Sequence, residues 1–271
     1  VDLIIKHKIP NIVIGTIDPF KKVNGKSINK LHKYANVITG VLLKECIDLN
    51  KRYFINHCLE RPFLILKWAE SKDGFINNLK PGITKISCLE SIKLSHTWRS
   101  KTDGILVGTN TIICDNPRLT TRKIKGKNPT RITIDRKSQL LHNKWNILDT
   151  NAETIIFQEQ HNKLKDNIKY INYLTHKIKH NSSDSEKLKE IMHILYKEGI
   201  YTLLVEGGRT IIENLITQNI WDEARIFTSQ SKISKGVKGP KILAAKKSIE
   251  KRSGKDKLKI IYNNLIQEQS F

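Results

Sequence analysis

The chain has 271 residues, 38% of them hydrophobic, enough material for one large core or two ordinary ones. No stretch reaches the roughly eighteen consecutive apolar residues of a membrane-spanning helix, and the short apolar segment holding Lys6 and Lys8 lacks the cleavage site of a secretory signal. The formal net charge of +22 admits either a phosphate-backbone partner or a lysine-biased solvated surface, and an anionic small substrate would be drawn to the same field.

Val1 stands where a Met is expected and Met192 is the only methionine, which reads as a missing N-terminal part. Residues 9–19 contain a strand ending at Asp18-Pro19, residues 28–39 read as a short helix and then a strand, and 42–60 has helical spacing through Cys46, Leu49, Tyr53 and Phe54. Pro62 disfavours helix in the residue before it, so the Arg61-Pro62 step is the best boundary, giving segments 1–60 and 61–271. Beyond it, apolar runs predict strands at 62–68, 104–108, 131–135, 153–157, 201–206 and 223–228, with helical patterns between them. The clearest helix is 187–199, where Leu188, Ile191, Met192, Leu195 and Tyr196 form one stripe and Gly199 stops it. Residues 158–186 read as a variable loop region, and the tail after 250 is basic and weakly patterned. This alternation is that of an α/β fold.

Cys46, Cys58, Cys88 and Cys114 form no C-x-x-C pair and have no metal-like His spacing, so they read as reduced thiols in a cytoplasmic protein, with no metal site. The densest basic stretch, 232–259, holds eleven Lys or Arg against two acids and has no interleaved aromatics for base stacking. Surface bias is therefore the preferred reading over nucleic-acid binding.

Three segments carry candidate chemistry. In LLVEGGRTIIENL, 203–215, an acid and two glycines stand where a buried strand turns into a helix. Helix N-termini offer unpaired N–H groups and a partial positive charge, and glycine lets an anion approach the backbone. A plain strand-to-helix turn explains the glycines equally well, but a carboxylate at a buried strand end, Glu206, needs a partner or solvent. In 98–122, Arg99 and Arg122 flank a strand and a polar loop with Thr109, Thr111, Asp115 and Asn116-Pro117, suited to bidentate phosphate binding. In 63–74, Lys67 interrupts an apolar strand that ends in a polar turn, Ser71 to Gly74. Strand C-termini are where open α/β sheets bind ligands.

In this order the segments resemble the bifunctional riboflavin-biosynthesis deaminase/reductase family. The strand pattern LK-x-A-x-S-x-DG is met by Leu66, Lys67, Ala69, Ser71, Asp73 and Gly74. The block R…D-x-I-L-V-G…T…D-x-P-x-L-T-x-R is met by Arg99, Asp103, Ile105 to Gly108, Thr111, Asp115, Pro117, Leu119, Thr120 and Arg122. Pro129, Arg131, Ile132 and Asp135 follow, then Glu206 to Thr210 and Asp222-Glu223. The resemblance implies a dihydrofolate-reductase-like domain with a central mixed sheet, preceded by the C-terminal part of a cytidine-deaminase-like α/β domain.

It also implies NADPH as cofactor, a phosphorylated pyrimidine ribosylamine as substrate and a homodimer; the lack of a long apolar run speaks against a membrane partner. Lys67, Arg99, Leu119, Arg122 and Glu206 match substrate positions: the arginines suit the 5′-phosphate, Lys67 and Glu206 the ring, Leu119 an apolar wall. Thr111, Asp115, Gly208, Arg209, Thr210, Ile211, Ile212, Glu213 and Asn214 match cofactor positions. Three cofactor-side positions depart from the pattern: Lys85 replaces a Trp, Glu70 a small residue, and Arg136 a Ser, where it could meet the 2′-phosphate. The deaminase zinc motifs are absent and His7, His32 and His57 do not supply them, so zinc is expected only with the missing part, and this chain by itself is not expected to deaminate. A decayed, non-catalytic remnant and a basic nucleic-acid-binding protein are the alternatives.

Overall fold

The computed structural model describes residues 1–271 apart from 21, 24, 80–83, 141–143, 161–162, 176–177, 244–246 and 264–271. The described chain divides into two compact units, Val1–Arg61 and Pro62–Asn264.

The first unit runs α1 (Asp2–Lys6), β1 (Asn11–Ile14), α2 (Lys26–Leu31), β2 (Asn36–Thr39), α3 (Leu43–Leu49) and α4 (Lys51–Leu59). Strands β1 and β2 pair in parallel, Ile12 against Val37. Leu31, Val37, Ile47, Phe54 and Ile55 are its buried apolar residues. The first strand stops at Ile14 rather than continuing to Asp18-Pro19. The Asp18 carboxylate explains the difference: it accepts from the backbone N–H of Phe20 and from the Tyr53 hydroxyl, each at 2.9 Å, making a local turn.

The second unit runs β3 (Phe63–Glu70), β4 (Phe75–Asn78), α5 (Leu89–Ser100), β5 (Gly104–Val107), α6 (Thr109–Asp115), β6 (Thr130–Ile134), β7 (Thr154–Gln158), β8 (Lys163–Lys165) and β9 (Ile168–Asn172). It continues with α7 (Asp184–Lys197), β10 (Thr202–Gly207), α8 (Arg209–Thr217), β11 (Glu223–Thr228), β12 (Gly236–Lys238), β13 (Lys247–Ser253) and β14 (Asp256–Tyr262). A ten-stranded sheet has the order β13-β14-β11-β3-β10-β5-β6-β7-β9-β8. From β11 to β9 every pairing is parallel; β14, β13 and β8 join antiparallel at the two margins. The sheet is therefore mixed, with a parallel centre, as the family resemblance implies.

The central strands are apolar runs because both of their faces are covered. Phe63, Leu64, Ile65 and Leu66 of β3 and Leu203, Leu204 and Val205 of β10 are each at most 1% exposed. Carboxylates pin the strand starts: buried Asp222 accepts from the Leu64 N–H at 2.8 Å, and half-buried Asp103 accepts from the N–H and hydroxyl of Thr202. Helix α7 begins with a capping box in which Ser183 and Glu186 satisfy each other's backbone N–H, and Gly199, at φ 79°, follows its end.

Two stretches read as irregular are structured. Within 158–186 lie β8 and β9, and the basic tail up to Tyr262 folds into the β13–β14 hairpin; its last part, 264–271, lies outside the described residues. Ile168, Tyr170, Ile171 and Leu258 are buried, but the facing positions are lysines exposed at a sheet margin, so the strands carry little hydrophobic signal.

Candidate active site

Strands β3 and β10 are parallel neighbours, with Val205 opposite Leu66 in register. One residue further along each strand, Glu206 and Lys67 therefore come side by side at the C-terminal end of the sheet. The last turn of α5 brings Arg99 to the same place. Its Nε donates to Glu206 Oε1 at 2.9 Å and its Nη2 to Oε2 at 2.7 Å, a two-pronged ion pair with side-chain exposures of 13% and 9%. Its Nη1 donates to the Thr120 carbonyl at 3.2 Å.

These charges shape one another. Burial works to raise the Glu206 carboxyl, but the Arg99 and Lys67 charges outweigh it and hold it at about 2. Burial works against the Arg99 guanidinium, yet Glu206 leaves its pKa raised. Burial depresses the Lys67 ammonium below the ordinary lysine value, with Arg99 adding to the effect and Glu206 opposing it. A lysine so placed is a readier proton donor than one in water. Its Nζ lies 5.8 Å from the centre of the Phe227 ring, and Phe227 stacks on Trp98 at 5.3 Å, giving the charged group a flat apolar neighbour.

Arg122 stands beyond Thr120, its Nη1 donating to the Thr120 hydroxyl at 3.0 Å. Partial burial and the charges of Arg99 and Arg118 lower its pKa. Among the described residues, Lys67, Arg99 and Arg122 each feel the charge of Glu206, Arg118 adds a further positive charge beside Arg122, and the surplus positive charge suits a phosphate.

The other side of the site is built from glycine. Gly208 caps α8 without a side-chain hydrogen bond, which leaves the first-turn N–H groups to another acceptor. The Gly108 N–H donates to the Gly207 carbonyl at 2.8 Å, holding the starts of α6 and α8 together. Gly207 adopts φ 133°, a region that penalises a Cβ, and a Cβ on Gly208 would come within 3.0 Å of Thr111 Oγ1. At the far end of α6, Asp115 Oδ1 is buried without a hydrogen-bond partner among the described residues, and burial raises that carboxyl. A bare helix N-terminus, a cradle without Cβ atoms and an orphaned acceptor fit a diphosphate-bearing cofactor with amide donors.

Not every expected residue joins this arrangement. Ile212 is 1% exposed and lies in the main core, and its N–H donates to the Gly208 carbonyl at 3.3 Å, so it has nothing left for a cofactor. Ile211 also packs partly against that core. Arg209 and Glu213 pair with each other at 2.7 Å on the outer face of α8. Thr210 is exposed and Asn214 half-buried on the same helix. Leu119, at φ 54° and 2% exposed, packs with Ile105, Val107, Ile112, Leu140 and Ile147; it shapes the loop from within and offers little open wall. Glu70 accepts from the Trp68 indole at 3.1 Å, tied back along its own strand on the face opposite Lys67. Arg136 pairs with Asp184 at 2.8 Å. Lys85 is exposed before α5, and among the described residues no hydrogen bond or ion pair links it to the cluster. Sequence reasoning missed His96, Trp98, Arg118 and Phe227, while Thr120 stood in the family block without a role; only the position of His96 and Trp98 just before Arg99 could have signalled those two.

Residues 62–231 match the family described as "RibD C-terminal domain". The riboflavin biosynthesis protein RibD of Aquifex aeolicus is 29% identical over 87% of this chain and 65% of its own length, so the chain spans a little under two thirds of that relative. The 2,5-diamino-6-ribosylamino-4(3H)-pyrimidinone 5′-phosphate reductase of the same organism is 31% identical over 62% of this chain and 77% of its own length. Among solved structures, the Thermotoga maritima diaminohydroxyphosphoribosylaminopyrimidine deaminase/5-amino-6-(5-phosphoribosylamino)uracil reductase aligns with TM-score 0.76 and 28% identity over 96% of this chain and 73% of that one. The chain belongs to the RibD C-terminal domain family.

Proposed function

We propose that the chain is a reductase of riboflavin biosynthesis, converting 5-amino-6-(5-phosphoribosylamino)uracil to its ribityl product with NADPH. The Arg99–Glu206–Lys67 cluster, where the end of β10 lies beside β3, carries the reading, because it sets an acceptor and a donor for a pyrimidine edge beside guanidinium donors for a phosphate. Bound NADPH would supply the hydride that reduces C1′ of the ribosyl group. The α8 start at Gly208 would hold its diphosphate, and Thr111 and Asp115 its neighbouring polar groups.

The chain's own residues bind, orient and hold protons. Arg99 keeps Glu206 ionised, so the carboxylate accepts from ring N–H and amino groups. Lys67 donates to a ring carbonyl. Arg122 and Arg99 take the 5′-phosphate through charge-assisted bonds worth about 1.5–3 kcal/mol each. Two of these anchors flank the reacting sugar, so binding energy is converted to orientation.

Segment 1–60 is read as the C-terminal part of a deaminase-like domain. A match over 96% of the chain cannot fit within Pro62–Asn264, so it includes most of Val1–Arg61, and that neighbour's name includes a deaminase.

Steady-state NADPH oxidation with the pyrimidine substrate tests the reading. Wild type should turn over, Lys67→Met and Glu206→Gln should each lose at least about a hundredfold in kcat/KM, corresponding to ~2.7 kcal/mol of transition-state stabilisation, and NADPH affinity should stay put. Wild-type protein that is folded, binds NADPH and leaves the substrate unreacted would refute it.

A further inference from the structure

His96 stands one helical turn before Arg99 on α5 and is 5% exposed. Its Nδ1 lies 3.0 Å from the backbone nitrogen of Arg122. A backbone amide only donates, so Nδ1 accepts, and the imidazole is neutral with its proton on Nε2. Burial, then the Arg99 and Arg122 charges, lower its pKa to about 4, which keeps it in that form across the neutral range. Lys123 adds to this repulsion and Glu206 opposes it.

The segment from Leu119 to Arg122 is tied down by side chains. Arg99 Nη1 donates to the Thr120 carbonyl at 3.2 Å, Asn128 Oδ1 accepts from the Thr121 N–H at 2.8 Å, and His96 takes Arg122. Of these, His96 alone joins Arg122's own backbone to the helix that carries Arg99. We propose that His96 is a positioning residue: it clamps the Arg122 segment onto α5, so that Arg99 and Arg122 form one preformed seat for the substrate's phosphate. Without the clamp the segment must be ordered on binding, and that cost falls on affinity rather than on the chemical step. The inference rests on the phosphate reading of the two arginines.

Calorimetric titration with ribose 5-phosphate tests it on wild type, His96→Asn and His96→Leu. Asn sets an amide oxygen where Nδ1 stands; Leu removes the acceptor. His96→Leu should bind about tenfold more weakly, equivalent to ~1.4 kcal/mol, and His96→Asn should recover most of that loss. NADPH affinity and kcat at saturating substrate should be unchanged in both. His96→Leu binding as tightly as wild type would overturn the clamp alone. Equal loss in both variants, with NADPH affinity falling as well, would make His96 a general fold residue and overturn it too. Wild type that does not bind ribose 5-phosphate would remove the seat itself, and the clamp with it.

Discussion

Glu206 shows how a single residue was legible and why its partners were less so. A carboxylate after three apolar residues and before two glycines breaks a buried strand, and such a break needs a partner. That the partner is Arg99, 107 positions earlier, follows only from the sheet order. The pair makes a stability prediction with a definite sign. The Glu206 pKa falls from 4.5 to about 2 on folding, so its contribution is fully present above about 4.5 and lost as pH drops through 2. His96, lowered from 6.5 to about 4, adds stability above 6.5 that is lost as pH falls through 4. Urea unfolding across these pH values should show the wild type losing stability in both windows, and His96→Leu should flatten the upper one. Glu206→Gln leaves Arg99 buried without its counter-charge and should cost on the order of 3 kcal/mol at neutral pH; a cost near zero would mean that the pair is solvated.

Among elements, α8 carries the sharpest test. Its glycine start was visible in the sequence as a candidate anion seat, and the turn geometry explains both glycines: Gly207 has φ 133°, and Gly208 faces Thr111. Gly208→Ala should leave the far-ultraviolet spectrum unchanged and weaken NADPH roughly tenfold, a cost of ~1.4 kcal/mol. Unchanged NADPH affinity would put the diphosphate elsewhere. Ile212, by contrast, was assigned to the cofactor because it stands in the motif, but the helical period turns it to the core. The same distinction governs the strands. The β3, β5 and β10 runs announced themselves because parallel central strands are apolar throughout. The β8–β9 and β13–β14 pairs did not, because a marginal strand shows lysine to solvent on one side. Arg131 is a further case: it belongs to the family block, yet it is fully buried and spends its donors on Thr154, Asn146, Asp149 and Ala152 inside the fold. A shared motif marks architecture as readily as chemistry.

At the scale of the molecule, the class of fold was readable from the alternation of runs, whereas the strand order was not, since adjacency in the sheet is not adjacency in the chain. The order is what brings residues 67, 99 and 206 together. Net charge belongs to this scale as well. A field of +22 should speed encounter with an anionic substrate, so kcat/KM should fall as salt is raised while kcat holds; an effect on kcat alone would point away from steering. The most direct test of the central claim is to run the reaction with NADPH carrying deuterium at the transferable C4 position and to examine the product by NMR. The account predicts one deuterium at C1′ of a ribityl chain, formed by wild type and lost in Glu206→Gln. A product without label at C1′, or label retained in the cofactor while substrate is consumed, would contradict it.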